Sequence, residues 1–451
     1  MRIGLFTDTY LPQVSGVATS IMTLKTELEK MGHMVFIFTT TDRDIEGFDD
    51  WTIIRLPSVP FLSFKERRIA YGGFSDAIEI ARRYQLDIIH TQTEFSLGFL
   101  GLEIGKRLDI PVVHTYHTKY EDYVRYIAKG MLVRPGMVKY YIKNFLRNKV
   151  DGVICPSEVA KGTLQAYKIK SQLRVIPTGI ELSKFDRPEI DDAVMRDLRH
   201  KLGIADDETM LLSVSRISYE KNIQAIIEQF PIVLEKTDKI KLVIVGGGPY
   251  EEELRKQIEK RRLGHAIVMT GMVQPADVAL YYKAADFFIS ASTSETQGLT
   301  YIEALACGTP ILAHGNPYLE HVVDSPVYGQ LFYRESEIPD AILKAQNRPK
   351  MSEEDLARKR LEVSAQTFGE RVYQFYLDLQ IAHRHNKTVQ KIQLSDAASI
   401  RKLDEGATII VGPSKSIPKH LSLKTVDRSK RVIKVSRKRL KTIRRLFSKK
   451  S

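Results

Sequence analysis

Two carboxylates, Glu295 and Glu303, stand eight residues apart on either side of Gly298. The pattern around them predicts a buried strand that ends near Ala291, a turn that holds Glu295, and a short helix. Glu303 falls about one turn inside that helix, whose first residues offer unpaired backbone N–H groups to an anion such as phosphate. Because carboxylates can also hold sugar hydroxyls, this spacing suits a sugar linked to a nucleotide.

Two cations, Arg216 and Lys221, follow the first predicted strand of the second half of the chain. Both fall at the carboxyl end of that strand, which is where open α/β sheets bind their ligands. Arginine can bind phosphate oxygens in a bidentate manner and lysine adds a point charge, so the pair could neutralise a departing diphosphate. Two solvated surface cations are the alternative interpretation.

Further candidates stand at other predicted strand ends. His117 lies in the loop after the fourth strand, beyond His114, and is the better placed of the two to act as an acid, base or hydrogen-bonding group. Gly16 opens the first helix and would let a ligand approach the backbone, although packing explains a glycine there equally well. The glycine loop 246–248 lacks the dinucleotide-binding spacing, and a tight, closely packed turn accounts for it.

Metal chemistry finds little support in the sequence. Asp42 and Asp44 match the short acid-x-acid pattern that holds a metal ion in some enzymes that use nucleotide sugars. They stand in a polar loop with further acidic residues, however, which favours a solvated loop. The two cysteines, Cys155 and Cys307, lie in separate apolar patterns and predict buried free thiols rather than a disulfide. Since no set of four ligands appears at zinc spacing near His117, we expect no metal ion.

The elements that must position these residues follow from the hydrophobic pattern. Strand-like apolar runs alternate with helical stretches, which predicts an α/β fold with parallel sheets covered on both faces. The pattern restarts after Pro188, so two doubly wound halves of similar size are expected, with sites at the carboxyl ends of their strands. The predicted units are residues 1–180, residues 181–363, a closing helix at 364–382 that packs back on the first unit, and a tail at 384–451.

The excess positive charge lies in the tail. Residues 411–451 hold 15 Lys/Arg against Asp427 alone, while the whole chain carries +13, so the rest of the chain is nearly neutral. Residues 428–451 show an apolar stripe at helical spacing on a basic background, which is typical of a helix lying on a membrane surface. A disordered basic segment that binds any polyanion, RNA included, is the alternative.

A second basic segment lies in the first half. Residues 119–149 combine eight Lys/Arg with six aromatic residues. Such a mixture suits the headgroup layer of an anionic membrane, although an RNA-binding face with stacking aromatics has a similar composition. The apolar and basic loop at 61–68 adds to the first interpretation. No run of about 18 apolar residues appears, so we expect a peripheral protein on the cytoplasmic face of the membrane, without a signal peptide.

Together these residues resemble the retaining GT-B glycosyltransferases, over roughly residues 1 to 380. The most specific part of the resemblance is the Glu-x7-Glu motif, joined to the two cations and to Gly16. Within that group the chain is most similar to the bacterial 1,2-diacylglycerol 3-glucosyltransferases, with which it shares the stretches at 90–96, 114–123 and 292–298.

The resemblance implies two Rossmann-like domains that face a deep cleft, and transfer of glucose from UDP-glucose to the free 3-hydroxyl of diacylglycerol with retention at the anomeric carbon. It implies that Arg216 and Lys221 contact the donor diphosphate. Glu295 would contact the transferred sugar and Glu303 the ribose. No metal or other cofactor is implied.

By the same resemblance, backbone N–H groups of Gly298, Leu299 and Thr300 meet the phosphates and the sugar. His117 matches a histidine near the acceptor and the donor sugar, and Gly16 matches a glycine beside the phosphates. The family usually has two adjacent glycines at that loop, and Ser15 stands in place of the first.

Other functions stay open at this stage. A galactosyltransferase, or an enzyme that adds a second sugar to a glycolipid, would carry the same motifs. A glycoside hydrolase could use Glu295 and Glu303 as acid and nucleophile, although two cations beside a helix N-terminus suit phosphate better. Nucleic-acid binding would explain only the tail and is not expected, and the oligomeric state is left open.

Overall fold

The computed structural model describes residues 1–13, 15–42, 50–61, 64–117, 135–147, 149–293 and 298–404. The strands of the first half are β1 (Arg2–Phe6), β2 (Met34–Thr40), β3 (Ile53–Leu56), β4 (Ser58–Phe61), β5 (Phe64–Ala70), β6 (Ile88–Thr91), β7 (Val112–Thr115), β8 (Gly152–Cys155) and β9 (Gln172–Val175). Its helices are α1 (Gly16–Lys30), α2 (Phe74–Arg83), α3 (Ser96–Leu108), α4 (Pro135–Leu146) and α5 (Glu158–Ala166). Seven strands form one parallel sheet in the order β3-β2-β1-β6-β7-β8-β9, and β4 pairs with β5 as a separate antiparallel hairpin.

The second half repeats this architecture. Its strands are β10 (Thr209–Val214), β11 (Ile240–Val245), β12 (Ile267–Gly271), β13 (Phe287–Ser290), β14 (Ile311–His314) and β15 (Gly329–Phe332). They form a six-stranded parallel sheet in the order β12-β11-β10-β13-β14-β15. The helices are α6 (Asp192–Lys201), α7 (Ile223–Lys236), α8 (Glu251–Lys260), α9 (Val278–Ala284), α10 (Leu299–Ala306), α11 (Pro317–Val322), α12 (Ile338–Gln346), α13 (Glu353–Val363) and α14 (Ala365–Asp404).

The central strands of each sheet are buried on both faces, as is usual for a parallel sheet that helices cover on both sides. In β1, Ile3 and Leu5 pack into one apolar cluster and Phe6 into another on the opposite face. In β10, Leu211 points to one cluster and Leu212 to the other. The period of two along a strand therefore divides the core of each half into two layers, with helices outside both. The two doubly wound parallel sheets predicted from the sequence are confirmed.

The chain crosses between the two sheets at one place. Ile180, on the way from the first half to the second, pairs in parallel with Ser364, on the way back. The amide of Ile180 donates to the carbonyl of Val363, and the amide of Ala365 donates to the carbonyl of Ile180. Gly179 permits this crossing, because a Cβ there would overlap the carbonyl oxygen of Ser364.

After the crossing, α14 returns to the first sheet. Phe368, Val372, Phe375, Tyr376 and Leu379 belong to the apolar cluster that contains Ile3 and Leu5 of β1. Asp378 also pairs with Arg174 in β9, at 2.8 Å. The last part of the core of the first sheet is therefore supplied by residues that follow the whole second half in the sequence.

Some elements differ from the sequence expectations. The edge strands β3 and β15 and the hairpin β4–β5 were not predicted. The helix expected at 364–382 begins at Ala365 and continues to Asp404. The tail from residue 405 onwards lies outside the described residues, so the basic amphipathic helix at 428–451 stays a prediction. Within the described part of the chain, no helix combines the length and apolar character needed to span a membrane.

Candidate active site

The loop after β10 carries both predicted cations and is tied to the end of the neighbouring strand β13. Lys221 ends a single 3-10 turn, and Asn222 follows with a left-handed φ of 53°. Asn222 Nδ2 donates to the carbonyl of Ala291 at 3.3 Å and to Glu335 Oε1 at 2.8 Å. Ser292 Oγ donates to the carbonyl of Glu220 at 3.4 Å. These bonds hold the lysine loop beside the segment that leads to the carboxylate motif.

Arg216 extends from the same loop, largely exposed, and pairs with Glu220 at 2.9 Å. Burial works to raise the pKa of Glu220, but hydrogen bonds from Ser218 and Arg216 outweigh it and lower the pKa. Ser218 Oγ donates to the same carboxylate oxygen at 2.6 Å. Glu220 therefore stays ionised and restrains the guanidinium, whose remaining N–H groups can meet an anion.

The glycine loop after β11 packs against this cation loop. Gly246 has a φ of 140°, and a Cβ there would overlap the carbonyl oxygen of Ser215. A Cβ at Gly248 would overlap the carbonyl oxygen of Ile217, whose amide donates to the carbonyl of Gly247 at 2.9 Å. The expectation of a tight, closely packed turn is confirmed, and its packing partner is the loop that carries Arg216.

The short helix α10 begins at the predicted glycine. Gly298 is its N-cap and has a φ of 71°, a conformation that favours glycine, and no side chain caps the helix among the described residues. The first amides, those of Leu299 and Thr300, therefore lie at a helix N-terminus that favours an anion. Glu303 follows one turn later, as predicted.

Glu303 is held by a residue that the sequence reasoning missed. Tyr282, fully buried in α9, donates its hydroxyl to Glu303 Oε2 at 3.0 Å. Burial raises the pKa of Glu303, against the opposing effect of the Tyr282 hydrogen bond. Burial and Glu303 together raise the pKa of Tyr282 well above its usual value, so this hydroxyl remains a donor. The second carboxylate oxygen is left to accept from a ligand.

Glu295 itself lies outside the described residues, which break off after residue 293 and resume at Gly298. The structure therefore places Arg216, Lys221, Gly298, Leu299, Thr300 and Glu303 along the carboxyl edge of the second sheet. The position of Glu295 relative to them stays a prediction.

In the first sheet, Gly16 begins α1 with open space beside it. A Cβ there would meet no atom within 4 Å, so packing does not require a glycine at this position. Ser15, which replaces the expected neighbouring glycine, is the N-cap, and its hydroxyl accepts from the amide of Ala18 at 3.2 Å. The side chain thus satisfies one helix amide, while the backbone around Gly16 remains open to a ligand.

His117 follows β7 and contacts Gln92, which follows the neighbouring strand β6. Its Nε2 lies 2.7 Å from Gln92 Oε1. Burial and nearby His114 lower the pKa of His117 to about 3, so the ring is neutral at physiological pH. Because an amide oxygen only accepts, Nε2 carries the proton and Nδ1 is the acceptor atom of the ring.

A buried carboxylate, Asp8, ties the end of β1 to the start of α3. Thr93 Oγ1 donates to it at 2.7 Å, Ser96 Oγ also donates, and the amide of Leu97 donates at 3.1 Å. Burial raises the pKa of Asp8 against these hydrogen bonds. Spacing along the chain does not single out Asp8, Gln92 or Tyr282, since their partners are remote in sequence.

The acid-x-acid pattern at residues 42–44, expected to be a solvated loop rather than a metal site, is only partly described. Asp42 is described, but Asp44 lies outside the described residues. Among the described residues, no group of three His, Cys, Asp or Glu side chains lies close enough together to hold a metal ion. Cys155 and Cys307 are free, as predicted, and burial raises the pKa of each thiol to about 12.

Two doubly wound parallel sheets, with cations, a helix N-terminus and a held carboxylate at one carboxyl edge, define a glycosyltransferase of the GT-B class. Family models match both halves: Glycosyltransferase Family 4 over residues 14–184 and Glycosyl transferases group 1 over residues 194–360. The chain therefore belongs to the glycosyltransferases that these two models describe together.

Two relatives extend this comparison over nearly the whole chain. The alpha-monoglucosyldiacylglycerol synthase of Streptococcus pneumoniae is 57% identical over 445 residues, which cover 98% of this chain and 98% of that protein. The alpha-monoglucosyldiacylglycerol synthase of Acholeplasma laidlawii is 33% identical and covers 87% of this chain and 100% of its own length. The resemblance to diacylglycerol glucosyltransferases drawn from the sequence is confirmed.

Among solved structures, HepE of Anabaena in complex with UDP and glucose matches with a TM-score of 0.64 at 16% identity. The match covers 84% of this chain and 100% of HepE. Sucrose-phosphate synthase of Thermosynechococcus elongatus matches with a TM-score of 0.58 at 22% identity, over 87% of this chain. At these identities the structural matches establish the fold alone.

Proposed function

We propose that the protein transfers glucose from UDP-glucose to the 3-hydroxyl of 1,2-diacylglycerol, with retention, and so makes alpha-monoglucosyldiacylglycerol. The observation that carries the proposal is the 57% identity over 98% of the chain to a synthase of that name. The geometry supports it, because the carboxyl edge of the second sheet gathers groups suited to a nucleoside diphosphate sugar. In the reaction, the bond from the anomeric carbon to the UDP oxygen breaks, a bond to the lipid oxygen forms, and the hydroxyl proton leaves with UDP.

We assign the roles of the residues from the family resemblance, and the surroundings of the described residues support them. Arg216 and Lys221, with the amides of Leu299 and Thr300, receive the diphosphate and stabilise the charge that develops on it. Glu303 accepts from the ribose hydroxyls through the oxygen that Tyr282 leaves open. Glu295 holds the transferred glucose. On the first sheet, His117 faces the sugar and the acceptor, and the backbone at Gly16 approaches the phosphates.

The leaving group is stabilised by these protein groups, and we propose that no metal ion is required. Activity should therefore persist after exhaustive treatment with a chelator. A loss of activity that Mg²⁺ or Mn²⁺ restores would contradict this part of the proposal.

The donor and acceptor are tested together in one matrix. Purified protein is incubated with UDP-glucose or UDP-galactose and with vesicles that contain diacylglycerol or glucosyldiacylglycerol. We expect product only from UDP-glucose and diacylglycerol, with an α-glycosidic bond by NMR. Product from UDP-galactose, or only from the glycolipid, would identify the neighbouring activities instead. Release of free sugar from glycosides without any nucleotide would indicate a hydrolase.

We further propose that the protein works on the cytoplasmic face of the membrane, bound peripherally to an anionic surface through residues 119–149 and 428–451. The described part of the first segment supports this. On α4, Met137 and Tyr140 are exposed, Tyr140 by 74%, and Lys139 and Lys143 lie on the same helix. Exposed aromatic and basic residues on one helix suit a headgroup layer.

Deleting residues 428–451 tests the contribution of the tail. Binding to phosphatidylglycerol vesicles should weaken, most strongly at low salt, because screening reduces the attraction between the basic residues and the lipid headgroups. Activity on detergent-dispersed diacylglycerol should stay the same, and neutral phosphatidylcholine vesicles are the control. Undiminished binding to the anionic vesicles would assign the anchoring to residues 119–149.

A further inference from the structure

Residues 90–96 run from the end of β6 to the start of α3, at the carboxyl edge of the first sheet, and all of them except Phe95 have polar side chains. Most of them are buried, and buried polar groups normally find hydrogen-bond partners. The pairs seen are His90 with Thr115 and Tyr376, Thr91 with His114, Thr93 and Ser96 with Asp8, and Glu94 with His114.

Gln92 differs from its neighbours in this run. Its residue is 3% exposed, and its Oε1 accepts from His117 Nε2 at 2.7 Å. Its side-chain nitrogen, Nε2, however, has no hydrogen-bond partner within the described part of the chain. A buried donor without an acceptor carries the full cost of its desolvation, so such a group calls for an explanation.

The place of this nitrogen suggests what would satisfy it. Gln92 follows the last residue of β6, and His117 lies two residues beyond the end of β7. The strands β6 and β7 are neighbours in the sheet. In open parallel sheets, ligands bind outside these strand ends. The backbone N–H of Gln92 donates to the carbonyl of Phe6 at 2.8 Å. The side chain therefore extends from a backbone position that is held in place.

We propose that Gln92 is a sugar-binding and positioning residue: its amide nitrogen donates to a hydroxyl oxygen of the transferred hexose while its amide oxygen holds His117. The inference rests on the hexosyl transfer proposed above. One carboxamide then links the orientation of the His117 ring to the recognition of the sugar. A site that hydrogen-bonds a substrate hydroxyl discriminates strongly against analogues that lack it, which makes the contact a determinant of donor specificity.

The test is a double cycle of protein and substrate changes. Gln92→Met keeps the length of the side chain but removes both hydrogen-bonding groups. The wild type and the variant are each assayed with UDP-glucose and with its 2-, 3-, 4- and 6-deoxyglucose analogues. We expect Gln92→Met to lower kcat/KM for UDP-glucose about tenfold while the Kd for UDP stays unchanged.

The decisive result is the effect of combining Gln92→Met with the removal of one hydroxyl from the sugar. One deoxy analogue should be about tenfold poorer than UDP-glucose for the wild type, and no poorer than UDP-glucose for Gln92→Met, because the contact is already absent. Penalties that are equal in both proteins for all four analogues would overturn the proposal, and would leave a buried water as the partner of the nitrogen.

A second variant and a control separate this from loss of folding. Gln92→Glu keeps an acceptor for His117, and its carboxylate can accept from the same sugar hydroxyl, so this variant should keep a penalty for the deoxy analogue whose penalty Gln92→Met loses. Tyr376→Phe is the control, because it removes the 2.6 Å hydrogen bond between Tyr376 and His90, which lies two residues before Gln92. This variant should have a lower Tm but the same discrimination among the deoxy analogues as the wild type. An inactive wild type would contradict the proposed function. An active wild type with additive penalties would contradict only the role of Gln92.

Discussion

Two side chains of the candidate site, Glu303 and His117, are held by neighbours that are remote in sequence. Tyr282 fixes Glu303 from 21 residues away, and Gln92 fixes His117 from 25 residues away. Arg216 is restrained more locally, by Glu220. Such partners reduce the conformational freedom that a side chain must lose when it binds substrate or the transition state.

Lys221 offers the most direct test of the leaving-group site. Lys221→Ala should lower kcat/KM by about 100-fold, because transition-state charge on the diphosphate loses a partner worth roughly 3 kcal/mol. The measurement is a steady-state assay with UDP-glucose and diacylglycerol. Lys236→Ala is the control, since Lys236 is a partly exposed lysine that pairs with Asp340 at 2.9 Å. Equal activity of the two variants would show that Lys221 does not contact the leaving group.

Tyr282 should act on nucleotide binding through Glu303. Tyr282→Phe removes the hydroxyl that orients the carboxylate, so the Kd for UDP should rise about five- to tenfold, measured by calorimetry. The Kd for 2′,3′-dideoxy-UDP should change little, because that nucleotide lacks the ribose hydroxyls from which Glu303 is proposed to accept.

The pH dependence of the same variant provides a second readout. The hydrogen bond from Tyr282 lowers the pKa of Glu303, so its removal raises that pKa. The loss of UDP affinity on acidification should therefore begin at a higher pH in Tyr282→Phe. Tyr281→Phe, at the adjacent position, should leave both the affinity and the pH dependence unchanged.

At the scale of elements, strand-like runs such as Ile3–Phe6, Val112–Thr115 and Gly152–Cys155 predict β1, β7 and β8 to within one residue. The buried strand β8, for example, is a continuous apolar run, Gly-Val-Ile-Cys, which identifies it directly. The missed strands β3 and β15 both lie at the edge of a sheet, where burial is incomplete. β15 also begins with Gly329, a residue more typical of turns. β3 and β15 therefore lack the apolar pattern by which the other strands of the two sheets, the edge strands β9 and β12 included, were recognised.

The candidate site was predictable only in part, for a related reason. Glu303, Arg216 and Lys221 stand next to strand and helix ends that the local pattern reveals. Tyr282 and Asp8 look like ordinary core and turn residues, and their roles depend on contacts between distant segments. Asp8 and Ser96, for example, are separated by 88 residues. Spacing rules describe one element at a time, so they do not identify such pairs.

The histidine at the end of β6 predicts how stability depends on pH. Burial, with a smaller contribution from His114 and His117, lowers the pKa of His90 well below its usual value. Below about pH 6.5 the unfolded chain therefore binds a proton that the folded protein excludes. This residue makes the free energy of unfolding fall by about 1.4 kcal/mol for each further pH unit of acidification.

His90→Gln should consequently show a shallower loss of stability between pH 6.5 and pH 5, measured by urea unfolding, whatever its stability at neutral pH. His265→Gln, at an exposed position after α8, should keep the wild-type slope. Identical slopes for all three proteins would mean that His90 is protonated in the folded state.

At the scale of the whole molecule, the crossing beside Gly179 joins the two sheets. Gly179→Ala places a Cβ against the carbonyl of Ser364, so one of the two crossing segments must shift. We expect a loss of about 1–3 kcal/mol in the free energy of unfolding. Gly162→Ala, within α5 and with nothing within 4 Å of the added Cβ, should instead stabilise the protein by up to about 1 kcal/mol.

Denaturant titration of both variants makes the comparison. If Gly162→Ala lowers the free energy of unfolding as much as Gly179→Ala does, the destabilisation comes from replacing a glycine and not from the overlap at the crossing. An unchanged midpoint for Gly179→Ala would show that the segments move apart at no cost.

The return of α14 to the first sheet has a consequence for synthesis on the ribosome. About 190 residues separate the end of β9 from Phe368, which at usual elongation rates take roughly 10 to 40 s to translate. During that interval one apolar face of the earliest strands lacks the part of its cover that α14 supplies, although α1 already packs on the same face, so the half made first is completed last. A chain that stalls before residue 365 would present this face to other nascent chains, and molecular chaperones should associate with it for as long as the pause lasts.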